Sequence, residues 1–104
     1  MEFEGIVERA REIRRLYEAA ERDAYGRPWS LEELTLGLVG DVGDLAKLVQ
    51  AHEGVRKADD VQGRLEHELA DVLWSIIVIA EHCDVDLERA FVVTMDQLAR
   101  ELDR

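Results

Sequence analysis

Residues 37–49, GLVGDVGDLAKLV, and 64–80, RLEHELADVLWSIIVIA, put four carboxylates where helices normally carry core residues. Asp41 and Asp44 stand three residues apart, as do Glu68 and Asp71. That spacing keeps each pair on one helix face, and Leu, Val and Ile bracket both pairs. Burying a single unpaired carboxylate is costly, and burying four together is worse. Unless they face solvent, the four need a neutralising partner. Oxygen ligands converging from two helices are what a hard divalent cation selects, Mg2+ or Mn2+ in its place. The competing reading is a solvated acidic face, because charged residues make up 36% of the chain and stray acid pairs are expected. Glu32, Glu33, Asp59, Asp60 and Glu66 read that way.

Working outward, helical periodicity runs through four segments. The first spans about Glu4 to Asp23, with Ile6, Val7, Ala10, Ile13, Leu16 and Tyr17 recurring at helical spacing. Gly26 and Pro28 break it. Ser30 with Glu33 forms a capping box that opens the second, which Gly54 closes. The third runs from about Val61 to His82, and Asp86 caps the fourth, Leu87 to about Leu102. VRKADDVQG, which runs into the start of the third, reads as a polar connector or a frayed helical start. Strand alternation, repeats and low-complexity stretches are lacking. The expectation is an all-α protein, a four-helix bundle with short loops, as one domain over residues 1–104.

Composition narrows the partners. A formal net charge of -11 and the lack of a basic stripe argue against nucleic acid and against anionic membranes. The most apolar stretch, Val72 to Ala80, is too short to span a bilayer. Cys83 is the lone cysteine, so a reduced, cytoplasmic setting is expected; the thiol itself reads as a small, mostly buried side chain at a helix end. A di-iron bundle would want Glu-x-x-His on two helices, and none exists. Structural zinc lacks its ligands. No nucleophile motif and no Walker loop appear. His67 is discounted, because neighbouring helical residues point to different faces. Trp29 and Trp74 offer faces on which a base could stack, although Trp74 reads first as core or interface. Lys47, Arg56, Lys57 and Arg64 lie near the acids in sequence.

GLVGDVGDLAKLV followed by LEHELADVLW resembles the paired motif of the all-α nucleoside triphosphate pyrophosphatases, the MazG-like superfamily. The likeness is closest to the dCTP pyrophosphatase branch, covers about Ser30 to Met95, and extends to CDVDLERAF at the turn into the last helix. It implies a Mg2+-dependent hydrolase that turns a nucleoside triphosphate, dCTP-like in that branch, into the monophosphate and pyrophosphate. The cations would be held by Asp41, Asp44, Glu68 and Asp71, and an activated water would attack in line. Trp29, Lys47, Arg64 and Arg100 are the further candidates for holding substrate. It also implies a homodimer or homotetramer. The sequence departs from the family's pattern at three places. Asp41 and Asp44 stand where Glu is usual. Gly40 takes the leading acid's position, as it does in the dCTP branch. In TMDQLAR, Thr94 and Leu98 replace a Lys and an Asn, leaving Arg100. Those departures motivate the alternative, a non-catalytic oligomeric interaction or nucleotide-binding protein that kept the MazG-like scaffold.

Overall fold

Local chain chemistry sets each helix boundary. A computed structural model describes residues 2–103 as four helices, with no strand among the described residues. Helix α1 covers Phe3–Tyr25 and ends where Gly26, at φ 80°, turns left-handed and donates its N–H to the Arg22 carbonyl. Only glycine enters that region without a Cβ penalty. Helix α2, Leu31–His52, starts at the Ser30–Glu33 capping box, with Glu33 N–H donating to Ser30 Oγ at 3.2 Å and Ser30 N–H to Glu33 Oε1 at 3.0 Å. It ends on Gly54 at φ 82°, where the Val55 N–H reaches back to the Gln50 carbonyl at 2.8 Å. Helix α3 is Val61–His82 and α4 is Leu87–Leu102, the latter capped by Asp86 accepting from the Arg89 N–H at 3.1 Å. The boundaries read from sequence hold to within two residues.

Helices α2 and α3 form an antiparallel pair with the most extensive packing in the chain, and α1 leans on α3. The α1–α3 contact gathers Val7, Ala10 and Ile77, with Phe3, Ile6, Trp74 and Leu87 packed around them. Outside it, the Arg11 guanidinium grips the Glu81 carboxylate through two hydrogen bonds. Helix α4 buries no residue, and Phe91 on it is 61% exposed. Apolar side chains of α3, Leu69, Leu73 and Ile76, are also open. The radius of gyration is 16.5 Å, against about 13 Å for a compact domain of this length. Cys83, expected to be mostly buried, is exposed at the end of α3: residues 81–86 around it are all exposed, so no other element covers that helix end. No helix among the described residues is long and apolar enough to cross a membrane.

Candidate active site

The antiparallel run of α2 against α3 brings the two acid pairs opposite each other. Asp41, Asp44 and Glu68 each offer a carboxylate oxygen within 4.8 Å of the others. They are less buried than four core acids would be: Asp41, Glu68 and Asp71 are half-buried and Asp44 is exposed. Even so, burial pushes the Asp41 carboxyl up from its ordinary range, and the negative charges of Asp71 and Asp44 push it further. Glu68 is raised in the same way, by desolvation first and then by Asp41, Asp71 and Asp44. One oxygen of Glu68, Oε2, is closed to solvent and has no hydrogen-bond partner. A buried acceptor left unpaired is costly. A hard divalent cation satisfies both the orphaned oxygen and the crowded charge, so the donor set fits one.

Asp71 stands slightly apart. It lies close enough to raise Asp41 and Glu68, but its Oδ2 is 3.1 Å from His67 Nε2. His67, which the sequence reading discounted, has an exposed ring that meets Asp71. His67 points away from its neighbour Glu68, yet it sits four residues before Asp71, and i,i+4 residues meet on a helix. That spacing was the available signal.

Two recesses flank the acids along the α2–α3 groove. The first, about 460 Å3, is walled by Tyr17, Tyr25, Trp29 and Trp74, with Asp41 and Asp71 at its inner edge. Tyr17 and Trp74 are tilted rings 5.3 Å apart. Trp74 serves the fold and the recess together: its Nε1–H donates to the Ala10 carbonyl at 3.2 Å while the ring lines the cavity. Trp29 is held by a clamp that the sequence did not reveal. Glu21, only 8% exposed, accepts from the Trp29 N–H at 2.7 Å and from Arg14 Nη1 at 3.3 Å, while Arg14 Nη2 donates to the Trp29 carbonyl at 2.9 Å.

The second recess, about 500 Å3, lies at the other end of the acids. Asp44 and Glu68 form its inner edge, and Lys47, Arg56, Lys57 and Arg64 surround it. Of the residues picked from sequence, Trp29 thus borders the aromatic recess, and Lys47 and Arg64 the cationic one. Arg100 is exposed on α4 and lines neither.

Residues 29–101 match the sequence profile of the MazG nucleotide pyrophosphohydrolase domain. The chain is similar to dCTP pyrophosphatase 1 of Rattus norvegicus, 38% identical over 94 residues, taking in 82% of this chain and 54% of that protein. The same protein of Homo sapiens is 38% identical over 99 residues with the same coverage. The Gene 37 protein of Mycobacterium phage L5 is 32% identical over 81 residues, which cover 71% of this chain and 68% of the phage protein. The chain therefore spans about half the length of the dCTP pyrophosphatases it matches. No solved structure matches it.

Proposed function

The chain belongs to the MazG nucleotide pyrophosphohydrolase family, and on that premise we propose that it hydrolyses a nucleoside triphosphate between the α and β phosphates. The products are the monophosphate and pyrophosphate. The observation that carries this is the convergence of Asp41, Asp44 and Glu68, with an orphaned buried oxygen among them, between an aromatic and a cationic recess. Asp41, Asp44, Glu68 and Asp71 are the residues that would hold the metal, and their all-oxygen character favours Mg2+, with Mn2+ as a substitute. A divalent cation there supplies the positive charge that polarises phosphate oxygens and makes water a nucleophile at neutral pH.

The chain's own residues do the positioning. Tyr17, Trp29 and Trp74 offer ring faces on which a base can stack. Their recess makes the base the anchored end of the ligand, and the dCTP pyrophosphatase relatives support a dCTP-like substrate. His67, against Asp71, fixes that carboxylate's orientation beside the other three acids. The open apolar surfaces of α3 and α4 support a homodimer or homotetramer. The lone Cys83 and the charge of -11 support a cytoplasmic setting without nucleic acid.

The second reading, a member that keeps the scaffold without turnover, draws on Asp41 and Asp44, one methylene shorter than Glu, and on Thr94 and Leu98 in α4. One assay decides between them. A panel of ribo- and deoxyribonucleoside triphosphates with Mg2+ or Mn2+ should release pyrophosphate, fastest from dCTP. No release from any of them, with the metal-dependent stabilisation described below intact, would favour the non-catalytic reading.

A further inference from the structure

The groove between α2 and α3 has a basic end to whose side chains the hydrolytic reading gives no role. From α2, Gly37 and Asp41 border the aromatic recess, while Asp44, Lys47 and Ala51 border the cationic one; from α3, Trp74 and Asp71 belong to the first and Glu68 and Arg64 to the second. The acids therefore sit between two recesses, one aromatic and one basic. The basic end is built by the connector. At Gly54 the chain turns left-handed, and the N–H groups of Val55 and Arg56 both reach back to the Gln50 carbonyl. This fold-back sets Arg56 and Lys57 over the last turns of α2, facing Arg64 at the start of α3.

Four of the 13 Lys and Arg residues thus gather at one recess of a chain whose net charge is -11. Among the described residues, Lys47, Arg56, Lys57 and Arg64 make no ion pair within 4.0 Å, although Asp44, Asp59 and Glu68 line the same recess. Arg15, Arg22, Arg89 and Arg100 likewise make no such pair, so what sets the four apart is that they line one recess beside the acids. Clustered cations around one cavity are suited to a multiply charged phosphate group.

We infer that Arg56, Lys57 and Arg64 bind the terminal phosphates of the substrate, so that the connector recess selects a triphosphate over a monophosphate and is where pyrophosphate sits before release. The inference rests on the reading of the acid cluster as the hydrolytic centre. Arg56 and Arg64 are phosphate-binding residues here, and Lys47, next to Asp44 on the same face of α2, assists them.

Titration calorimetry on the full chain tests this with three probes: magnesium pyrophosphate alone, dCTP carrying an imido group in place of the α–β bridging oxygen, and dCMP. Arg56→Ala and Arg64→Ala should each weaken pyrophosphate and the triphosphate analogue about tenfold, the loss expected for one charge-assisted phosphate contact. The affinity for dCMP should hold, and Arg64→Lys should recover part of the loss. Both positions are exposed, so unchanged circular dichroism is expected and serves as the folding control. Pyrophosphate binding unaffected by both substitutions would overturn the inference, as would a loss shared equally by dCMP. Turnover of dCTP by the unaltered chain is measured alongside. If it is present while the variants bind as before, the connector assignment falls and the hydrolase reading stands. If it is absent while pyrophosphate binding still depends on Arg56 and Arg64, the recess assignment stands and the hydrolase reading falls.

Discussion

At Glu68, burial and charge work against each other. Its Oε2 is shielded and unpaired, and its carboxyl is raised by desolvation and by three neighbouring acids. A raised carboxyl favours its protonated form when folded, so its contribution to stability is complete below its ordinary pKa and is lost as pH rises through the elevated one. At neutral pH the metal-free protein thus carries a penalty that a bound cation removes. Millimolar Mg2+ should raise the melting temperature, by an amount equivalent to about 2.7 kcal/mol at a hundredfold excess over Kd. Glu68→Gln and Asp71→Asn should abolish that rise, and metal-free Glu68→Gln should melt no lower than the parent at pH 7. Persistence of the full metal shift in both variants would remove the acids from consideration as a site. Glu21 makes the opposite case. Its charge is buried but matched, by Arg14 and by the Trp29 N–H. Glu21→Ala leaves the Trp29 N–H without its acceptor and Arg14 with only the Trp29 carbonyl and Glu18, and should cost about 3 kcal/mol in denaturant unfolding. It should also free Trp29, which a change in tryptophan fluorescence would report.

Among the elements, α2 has the most explicit start signal. Replacing Ser30 with Ala removes the acceptor for the Glu33 N–H and should cost about 1 kcal/mol. The Glu33 carboxyl is lowered to about 2, first by the Arg27 guanidinium and then by the Ser30 N–H. A lowered carboxyl stabilises the fold above its ordinary pKa, and that stabilisation is lost as pH falls toward 2. Acid titration of Glu33→Gln should therefore lack a loss of helicity that the parent shows below about pH 4.5. Such local chemistry is why the helices could be read from sequence. Gly26, Pro28, Ser30, Gly54 and Asp86 act on their immediate neighbours, and the i,i+3 acid pairs declare their own faces. What stayed hidden depends on chain segments meeting across longer spans. Glu21 reaches Trp29 only because the turn at Gly26 brings the following segment back against α1, and Arg56 reaches the acids' neighbourhood only through the turn at Gly54. Burial was misread at Cys83 because apolar surroundings in sequence do not reveal which helix end another element covers.

For the molecule as a whole, extents of 53 × 39 × 27 Å and an α4 without a buried residue leave apolar surface for which one chain has no cover. Phe91, Val92, Met95 and Leu98 lie open along α4. Sedimentation should report a dimer or larger at micromolar concentration, and Phe91→Asp with Leu98→Asp should shift it toward monomer and lower the melting temperature. A monomeric parent would remove the assembly from the reading. The partition of the groove has a further consequence, for how such a protein can diversify. The ring walls come from α1, the α1–α2 turn and Trp74, the acids from the facing centres of α2 and α3, and the cations mainly from the connector and the start of α3. On the proposed reading, substitutions that change which base is held would fall at positions other than those that grip the polyphosphate, and the acids need not change with either. Selection could then retune the two ends in separate steps while the proposed hydrolytic centre is kept, so that a new nucleotide preference would be reachable without crossing a stage of lost chemistry.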